Sequence, residues 1–556
     1  MVEDTRYAEP ASTSAIAFAE LIFSANPGAL NLVRQLAFDC FQCASEGNSC
    51  LDATGYFVDA DSVTDIFSAL TGLFAGNRLV SVLHQPDQDA GACLLVVFKN
   101  RLYLKKYWLM ENRLVKHIIA RCNDRIVDAS LSVPQRLAYS CLEKPLTLLT
   151  GGPGTGKTSA ISASLVQWIN LFWNRHQRIP KIWLCAPTGK AASRMSEAWQ
   201  QQKPALLQTL DASLWGALPE SAQTLHRLLA IHPLSRTCRY TPERPLEADL
   251  VVFDEASMID LPTTLQLFDA LPASCHLLLV GDPDQLPSIE IGSVLRGLLS
   301  LPAGTELQRR LDTAHIRLLH NYRQSDSIGL SILASEIMQI DPSEVVTRLV
   351  ANFYAGAGFF GNSPHNIAKL IDEAVSHYKS IAQQSTVEDA LSMLSERIIL
   401  SPLREGPFGS ITLNARIGNH LNARGNRHGQ VLIVTENVPS LGLANGDIGL
   451  VWRNSDVFTV HFQLHGGIHT VALASLPRHE WAYALTVHKS QGSEFGRVDL
   501  VLPDFDTPLL SRALVYTAVT RARSSLALYA QAEVLLNGLQ RNSGRMSGLA
   551  LLAGST

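Results

Sequence analysis

From about residue 116 onward, short apolar runs alternate with longer stretches of helical periodicity. The runs are Leu146–Thr150, Ile182–Ala186, Leu250–Phe253, His276–Val280, Ile398–Leu400 and Val498–Leu502. Runs this short and this apolar fit strands buried on both faces. Their alternation with helices predicts parallel sheets with crossover helices. Each run ends in a polar or glycine-rich segment, at the edge where open α/β sheets bind ligands. Two stretches depart from this pattern. Near the N-terminus, helical periodicity covers Ser12–Phe23 and Leu30–Ala44, and Cys93–Phe98 followed by Leu102–Leu104 reads as a β-hairpin. Between about 405 and 480, Val431–Glu436, Gly449–Arg453, Val457–Gln463 and Thr470–Leu473 are closely spaced strands separated by Gly/Asn turns. They predict a small β-barrel inserted into the second α/β unit. The expected division is therefore 1–115, 116–305, 306–404 with 481–556, and the insertion 405–480.

The strongest chemical signal follows the first apolar run. Gly151-Gly152-Pro153-Gly154-Thr155-Gly156-Lys157-Thr158 fits G-x-x-x-x-G-K-[ST], with a strand before it and a helix, Ser159–Phe172, after it. Glycines let backbone N–H groups approach phosphates, and the helix N-terminus adds positive potential. Lys157 reaches the β- and γ-phosphates of a nucleotide, and the Thr158 hydroxyl binds Mg²⁺. A second carboxylate site comes from Leu250-Val251-Val252-Phe253-Asp254-Glu255, where two acids emerge from a buried strand. Asp254 suits the metal, and Glu255 suits an attacking water. In Gly281-Asp282-Pro283-Asp284-Gln285, another strand ends in a polar loop, and Gln285 can sense the γ-phosphate by a hydrogen bond.

Composition sets limits around this core. The chain has 556 residues, 46% of them hydrophobic, enough for three or four buried cores. High apolar content with a small net charge argues against disorder. No run of 18 apolar residues suggests a membrane span, and the charged start Met1–Arg6 is unlike a secretory signal. Lys plus Arg is 46 and Asp plus Glu is 50, giving −4, so global charge offers no sign of a nucleic-acid partner. Only 17% of residues are charged, and partner subunits covering the surface would account for it. The nine cysteines, an odd number, fit free thiols in a reducing cytosol. Cys40, Cys43 and Cys50 form C-x2-C-x6-C but lack a fourth ligand, and Cys40 and Cys43 share an apolar helix face, so they read as packing residues.

Taken in order, further segments carry a family likeness. They are Ala186–Ala192, Thr224–Leu229, Asp254–Asp260, Gly281–Pro287, Tyr322-Arg323, Leu403–Gly409, Asn445–Gly449, Thr486–Phe495 and Leu514–Arg523. With the phosphate loop, they resemble superfamily-one helicases, most closely the RecD-type branch that supplies the alpha chain of bacterial exodeoxyribonuclease V. The likeness covers about residue 90 to the C-terminus. It implies two RecA-like P-loop domains, an inserted SH3-like β-barrel and a mixed α/β N-terminal domain that docks to a partner. It also implies that Gln135 reads adenine, that the loop Gly152–Thr158 with Ser159 holds ATP, and that Glu494 contacts the ribose. Arg323 and Arg521 would be arginine fingers, whose charge on the γ-phosphate speeds transfer. Pro187, Thr188 and Lys190, then Thr224 and His226, then Thr486, His488 and Lys489 would form three loops gripping single-stranded DNA through its phosphates.

The function so implied is ATP- and Mg²⁺-dependent 5′→3′ unwinding of DNA ends in recombinational repair, within a cytoplasmic heterotrimer with RecB-like and RecC-like chains and with no membrane contact. Two alternatives carry discriminators. A freestanding helicase of the same branch would show helix-hairpin-helix repeats at its N-terminus, and residues 1–115 show no repeated G-x-G hairpins. A structural subunit with a silent ATPase would not need Lys157, Asp254, Glu255, Gln285 and both arginines intact.

Overall fold

The computed structural model describes residues 13–554, apart from 26–29, 58–61, 124, 126, 129, 233–234, 289, 320–327, 422–426, 455–456, 465–466 and 542–544. The N-terminal region places helices Thr13–Ser24 and Asn31–Ser45 beside a four-stranded sheet of β1 (Leu51–Asp52), β2 (Val80–Leu83), β3 (Leu95–Phe98) and β4 (Arg101–Leu104), ordered β1-β4-β3-β2. Strands β3 and β4 form the hairpin the sequence predicts, with Lys99 at φ 52° in its two-residue turn. Cys40 sits in this region's core with Val33, Leu36 and Leu95. Burial, then the neighbouring Cys43, pushes its thiol well up. Burial and the nearby Glu46 and Asp39 push Cys43 up to about 11. Both thiols stay protonated and behave as small apolar groups.

The first parallel sheet contains β5 (Leu146–Gly151), β6 (Ile182–Ala186), β7 (Gln223–Thr224), β8 (Leu250–Phe253), β9 (His276–Gly281) and β10 (His315–Leu318), ordered β10-β5-β9-β8-β6-β7. Every pairing is parallel, and Leu148 of β5 lies between Leu279 and His315. All residues of β5 and β8 are buried, so these strands show no polar alternation in sequence. Strand β10, His-Ile-Arg-Leu, was not expected. As an edge strand it carries polar residues that hide the signal.

The second parallel sheet begins with β11 (Ala357–Phe360) and β12 (Arg397–Ser401). The chain then forms five antiparallel strands, β13 (Val431–Val434), β14 (Ile448–Asn454), β15 (Val457–Leu464), β16 (Gly467–Ala472) and β17 (His479–Trp481), ordered β16-β15-β14-β13-β17. It returns through β18 (Ala484–Thr486), β19 (Phe495–Val501) and β20 (Ala522–Tyr529). The parallel order is β11-β20-β19-β12-β18. The inserted sheet has its own core of Leu432, Val434, Val451, Val460 and Phe462. Helix Ser410–Leu421, inside the stretch expected for the insertion, packs instead on the second parallel sheet. Leu413 and Ile417 enter that core, and Asn414 exchanges two 2.8 Å hydrogen bonds with the Ala484 backbone. Its apolar spacing reads as a helix, but only packing shows which sheet it serves.

The C-terminal segment closes the fold on itself. Helix Leu549–Ala553 buries Leu549 and Leu552 in the core shared by the first parallel sheet and helix Lys105–Arg121. The buried Glu111 carboxylate accepts hydrogen bonds from the Ser547 hydroxyl (2.7 Å) and the Gly548 N–H (3.0 Å). Among the described residues, no helix is long and apolar enough to cross a membrane.

Candidate active site between the two parallel sheets

The phosphate loop links β5 to helix Lys157–His176, which begins two residues before the expected Ser159 start. Gly154 and Gly156 sit at φ 76° and 79°, a conformation that strains any side-chain-bearing residue. Between them Thr155 Oγ1 donates to Gly152 O at 2.8 Å, fixing the turn that contains Pro153. Lys157 Nζ donates to Gly151 O (2.7 Å) and Gly152 O (3.0 Å), so the ammonium lies against the loop. Thr158 and Ser159 stand in the first helical turn, where unpaired backbone N–H groups converge.

Two strands away in the sheet, Asp254 leaves β8 and Glu255 takes a left-handed φ of 54°. This turn brings Glu255 N–H onto Asp254 Oδ1 at 2.8 Å. Burial and the adjacent Glu255 push the Asp254 carboxyl up to about 6, against the pull of Lys157 and Arg194. A carboxyl that stays raised beside two cations is short of positive charge. A hydroxyl (Thr158) and a carboxylate (Asp254) are the hard oxygen donors that suit Mg²⁺ shared with phosphate, so the residues present fit that group.

The Asp282–Leu286 loop at the end of β9 is buried against the second sheet. Gln285 Nε2 donates to Asp282 Oδ2 at 3.1 Å, and its buried Oε1 has no donor among the described residues. Tyr516, on helix Arg512–Val519, donates its hydroxyl to the same Asp282 oxygen at 2.9 Å. Thr517 Oγ1 accepts from Leu286 N–H at 2.9 Å, and Gln491 Nε2 donates to Leu286 O at 3.1 Å. Just beyond that helix, Arg521 is buried, its Nε donating to Thr517 O (3.1 Å) and its Nη1 to Ser493 O (3.2 Å). Burial lowers its pKa, while the charges of Glu255 and Glu494 raise it. Arg194 completes the seam by donating to Gly492 O at 2.8 Å and lying 3.7 Å from Glu494. Sequence reasoning gave no role to Arg194, Tyr516 or Thr517. Their partners lie more than 200 residues away in the chain.

Other expected residues fall into place less simply. Gln135 Oε1 accepts from Ser132 N–H (3.2 Å) and Ser132 Oγ (2.8 Å), capping its own helix. Arg323 lies outside the described residues. Pro187 and Thr188 follow β6, and Thr188 Oγ1 caps the next helix by accepting from Ala191 N–H. Thr224 does the same for Arg227 N–H, with His226 exposed beside it. Thr486 Oγ1 accepts from Lys489 N–H, and Lys489 Nζ pairs with Glu480 at 3.0 Å. Burial and nearby Arg545 lower the His488 pKa. Lys190 is half-buried, and desolvation, helped by Arg194 and Arg521, pushes it down to about 8, with Asp447 of the inserted sheet opposing. A cavity of about 490 Å³ is lined by Lys190, Arg194, Asp447 and Glu494. A Cβ on Gly189 would lie 2.7 Å from Ala444 Cβ, so the insertion packs directly on this loop.

Two parallel α/β sheets that meet across a phosphate loop, an acidic strand end and a buried arginine define a P-loop NTPase with its cleft between two halves. A family model described as an AAA domain matches residues 135–290, and one described as a UvrD-like helicase C-terminal domain matches 481–529. The chain is 33% identical to the RecBCD enzyme subunit RecD of Mycolicibacterium smegmatis, covering 85% of this chain and 88% of that one. It is 30% identical to the RecBCD enzyme subunit RecD of Haemophilus influenzae, covering 75% and 72%. It is also 30% identical to the ATP-dependent RecD2 DNA helicase of Deinococcus radiodurans, covering 68% of this chain and 46% of that protein. The chain belongs to the RecD family.

Proposed function

We propose that this chain is the ATP-driven 5′→3′ DNA helicase subunit of a RecBCD-type helicase-nuclease that unwinds and processes double-strand DNA ends in recombinational repair. The observation that carries this reading is the seam itself. Lys157, Asp254 and Glu255 come from the first sheet, and Arg521 arrives from the second, buried and held within the field of Glu255.

In hydrolysis, the loop N–H groups and Lys157 hold the phosphates of ATP, and Gln135 and Glu494 orient the nucleoside. Glu255 takes a proton from the attacking water as its oxygen bonds to the γ-phosphorus and the bridge to ADP breaks. Arg521, with Arg323 as the second arginine the family implies, offsets the charge that develops. Thr158 and Asp254 would hold Mg²⁺, which when bound neutralises β- and γ-phosphate oxygens. Because Arg521 rides on one sheet and Lys157, Asp254 and Glu255 on the other, nucleotide chemistry is tied to closure between them.

DNA contacts are assigned to Pro187, Thr188 and Lys190, to Thr224 and His226, and to Thr486, His488 and Lys489. All three loops follow C-terminal strand ends of the two parallel sheets. The proposed division is 1–115 for partner docking, 116–305 and 306–404 with 481–556 for the two RecA-like units, and 405–480 for the insertion, less helix Ser410–Leu421, which packs on the second parallel sheet. Its five antiparallel strands around a private core support the SH3-like reading. Partners are RecB-like and RecC-like chains and single-stranded DNA.

The test is unwinding of duplexes with 5′ or 3′ single-stranded tails, with and without co-purified partner chains. Wild type is expected to open the 5′-tailed substrate, and Lys157→Gln to lose DNA-stimulated ATPase and unwinding together. Preference for a 3′ tail overturns the polarity, and activity surviving Lys157→Gln overturns the motor.

A further inference from the structure

We propose that Tyr516 is a positioning residue for hydrolysis: its hydroxyl bond to Asp282 sets how Arg521 meets the phosphate loop. The inference rests on the ATPase reading above. Tyr516 and Arg521 ride on one element, helix Arg512–Val519 and the turn after it, tied by the bond from Arg521 Nε to Thr517 O at 3.1 Å. A shift of this helix therefore moves the guanidinium with the phenol.

The helix is pinned to the first sheet at two successive residues. The Tyr516 hydroxyl donates to Asp282 Oδ2 at 2.9 Å, and Thr517 Oγ1 accepts Leu286 N–H at 2.9 Å. Both pins land on the loop that carries Gln285, and Gln285 Nε2 donates to the very oxygen Tyr516 uses, at 3.1 Å. The phenol also closes over the phosphate loop, since a Cβ built on Gly152 would lie 3.3 Å from its hydroxyl. Asp282, Gln285 and Tyr516 are all buried, so losing the bond leaves a buried polar group short of a protein partner. Burial raises the Asp282 pKa and Lys157 lowers it, so the carboxyl also senses the lysine. When Lys157 or Gln285 turns toward a phosphate, the bonding of Asp282 changes, and Tyr516 is the second-sheet group that shares its oxygen. This makes the Tyr516–Asp282 bond a link through which nucleotide contact on one sheet sets the arginine on the other.

The test uses the full chain with its partner chains, measuring single-strand-stimulated ATPase over a range of ATP concentrations. Tyr516→Phe deletes one oxygen and keeps the ring. It is expected to lower kcat by about ten- to a hundredfold, the scale of one lost charge-assisted hydrogen bond, with KM for ATP little changed. Asp282→Ala, which also strips Gln285 of its partner, is expected to lower kcat at least as much, and the double variant to be no slower than Asp282→Ala, because Tyr516 then has no link left to lose. Wild-type kcat in Tyr516→Phe, or losses that multiply in the double variant, overturns the proposal. Should Tyr516→Phe fail to fold, Asp282→Ala alone carries the test, and an unchanged kcat there overturns it. A wild-type chain without DNA-stimulated ATPase overturns the ATPase reading instead.

Discussion

Lys190 shows how much a single side chain's setting decides. Its place after β6 marks it as a phosphate contact, yet burial between Arg194, Arg521 and the inserted sheet pushes its pKa down to about 8. The sign follows directly: the ammonium is charged below that value and loses its charge as pH rises through it, far earlier than an exposed lysine does. Nucleotide-free affinity for single-stranded DNA is therefore expected to fall severalfold between about pH 7 and pH 9. Lys190→Arg, which stays charged, should flatten that fall, as fluorescence anisotropy with a labelled oligonucleotide would show. At this scale the places of the phosphate loop, Asp254, Glu255 and Gln285 at strand ends were legible, because each lies in a short motif read over a few residues. Tyr516 was not, because its Asp282 partner lies 234 residues away.

Among elements, legibility followed unbroken apolar runs, and the interior strand β20, which opens Ala-Arg-Ser-Ser, escaped as the edge strands did. Strands β5, β6 and β8 declared themselves as apolar runs, whereas β10 and β11, at sheet edges, did not. Helix Leu549–Ala553 is too short to announce itself, yet it buries Leu549 and Leu552 beside helix Lys105–Arg121. Leu552→Ala is expected to destabilise the fold by about 3 kcal/mol, read from denaturant unfolding. The same loss should loosen the Ser547–Gly548 clamp on Glu111, leaving a buried carboxylate with fewer donors and faster amide exchange in residues 545–553. An unfolding curve within error of wild type would mean that this helix does not anchor the core.

For the molecule as a whole, a net charge of −4 gives no sign of the proposed DNA interface. Only Lys190 and Lys489 among the residues proposed to contact DNA are lysines or arginines, and Lys489 is already paired with Glu480. Single-stranded DNA affinity should then depend weakly on salt, with a log–log slope no steeper than about −1.4 for two neutralised phosphates. Titrations at several ionic strengths give the slope, and a much steeper value would show that a larger basic surface takes part. On the proposed assignment, grip rests on hydroxyls, backbone groups and loop geometry more than on charge.

Sequence alone determined the chemistry of the phosphate loop, the acidic strand end and the parallel α/β architecture. Those features arise from local residue type, spacing and the continuous apolarity of strands buried on both faces. Only the tertiary structure decided that helix Ser410–Leu421 serves the second parallel sheet, that the inserted sheet packs on Gly189, and that Tyr516, Thr517 and Arg194 stitch the cleft. Such contacts join residues hundreds of positions apart, and their energy depends on distance and burial that no local pattern encodes.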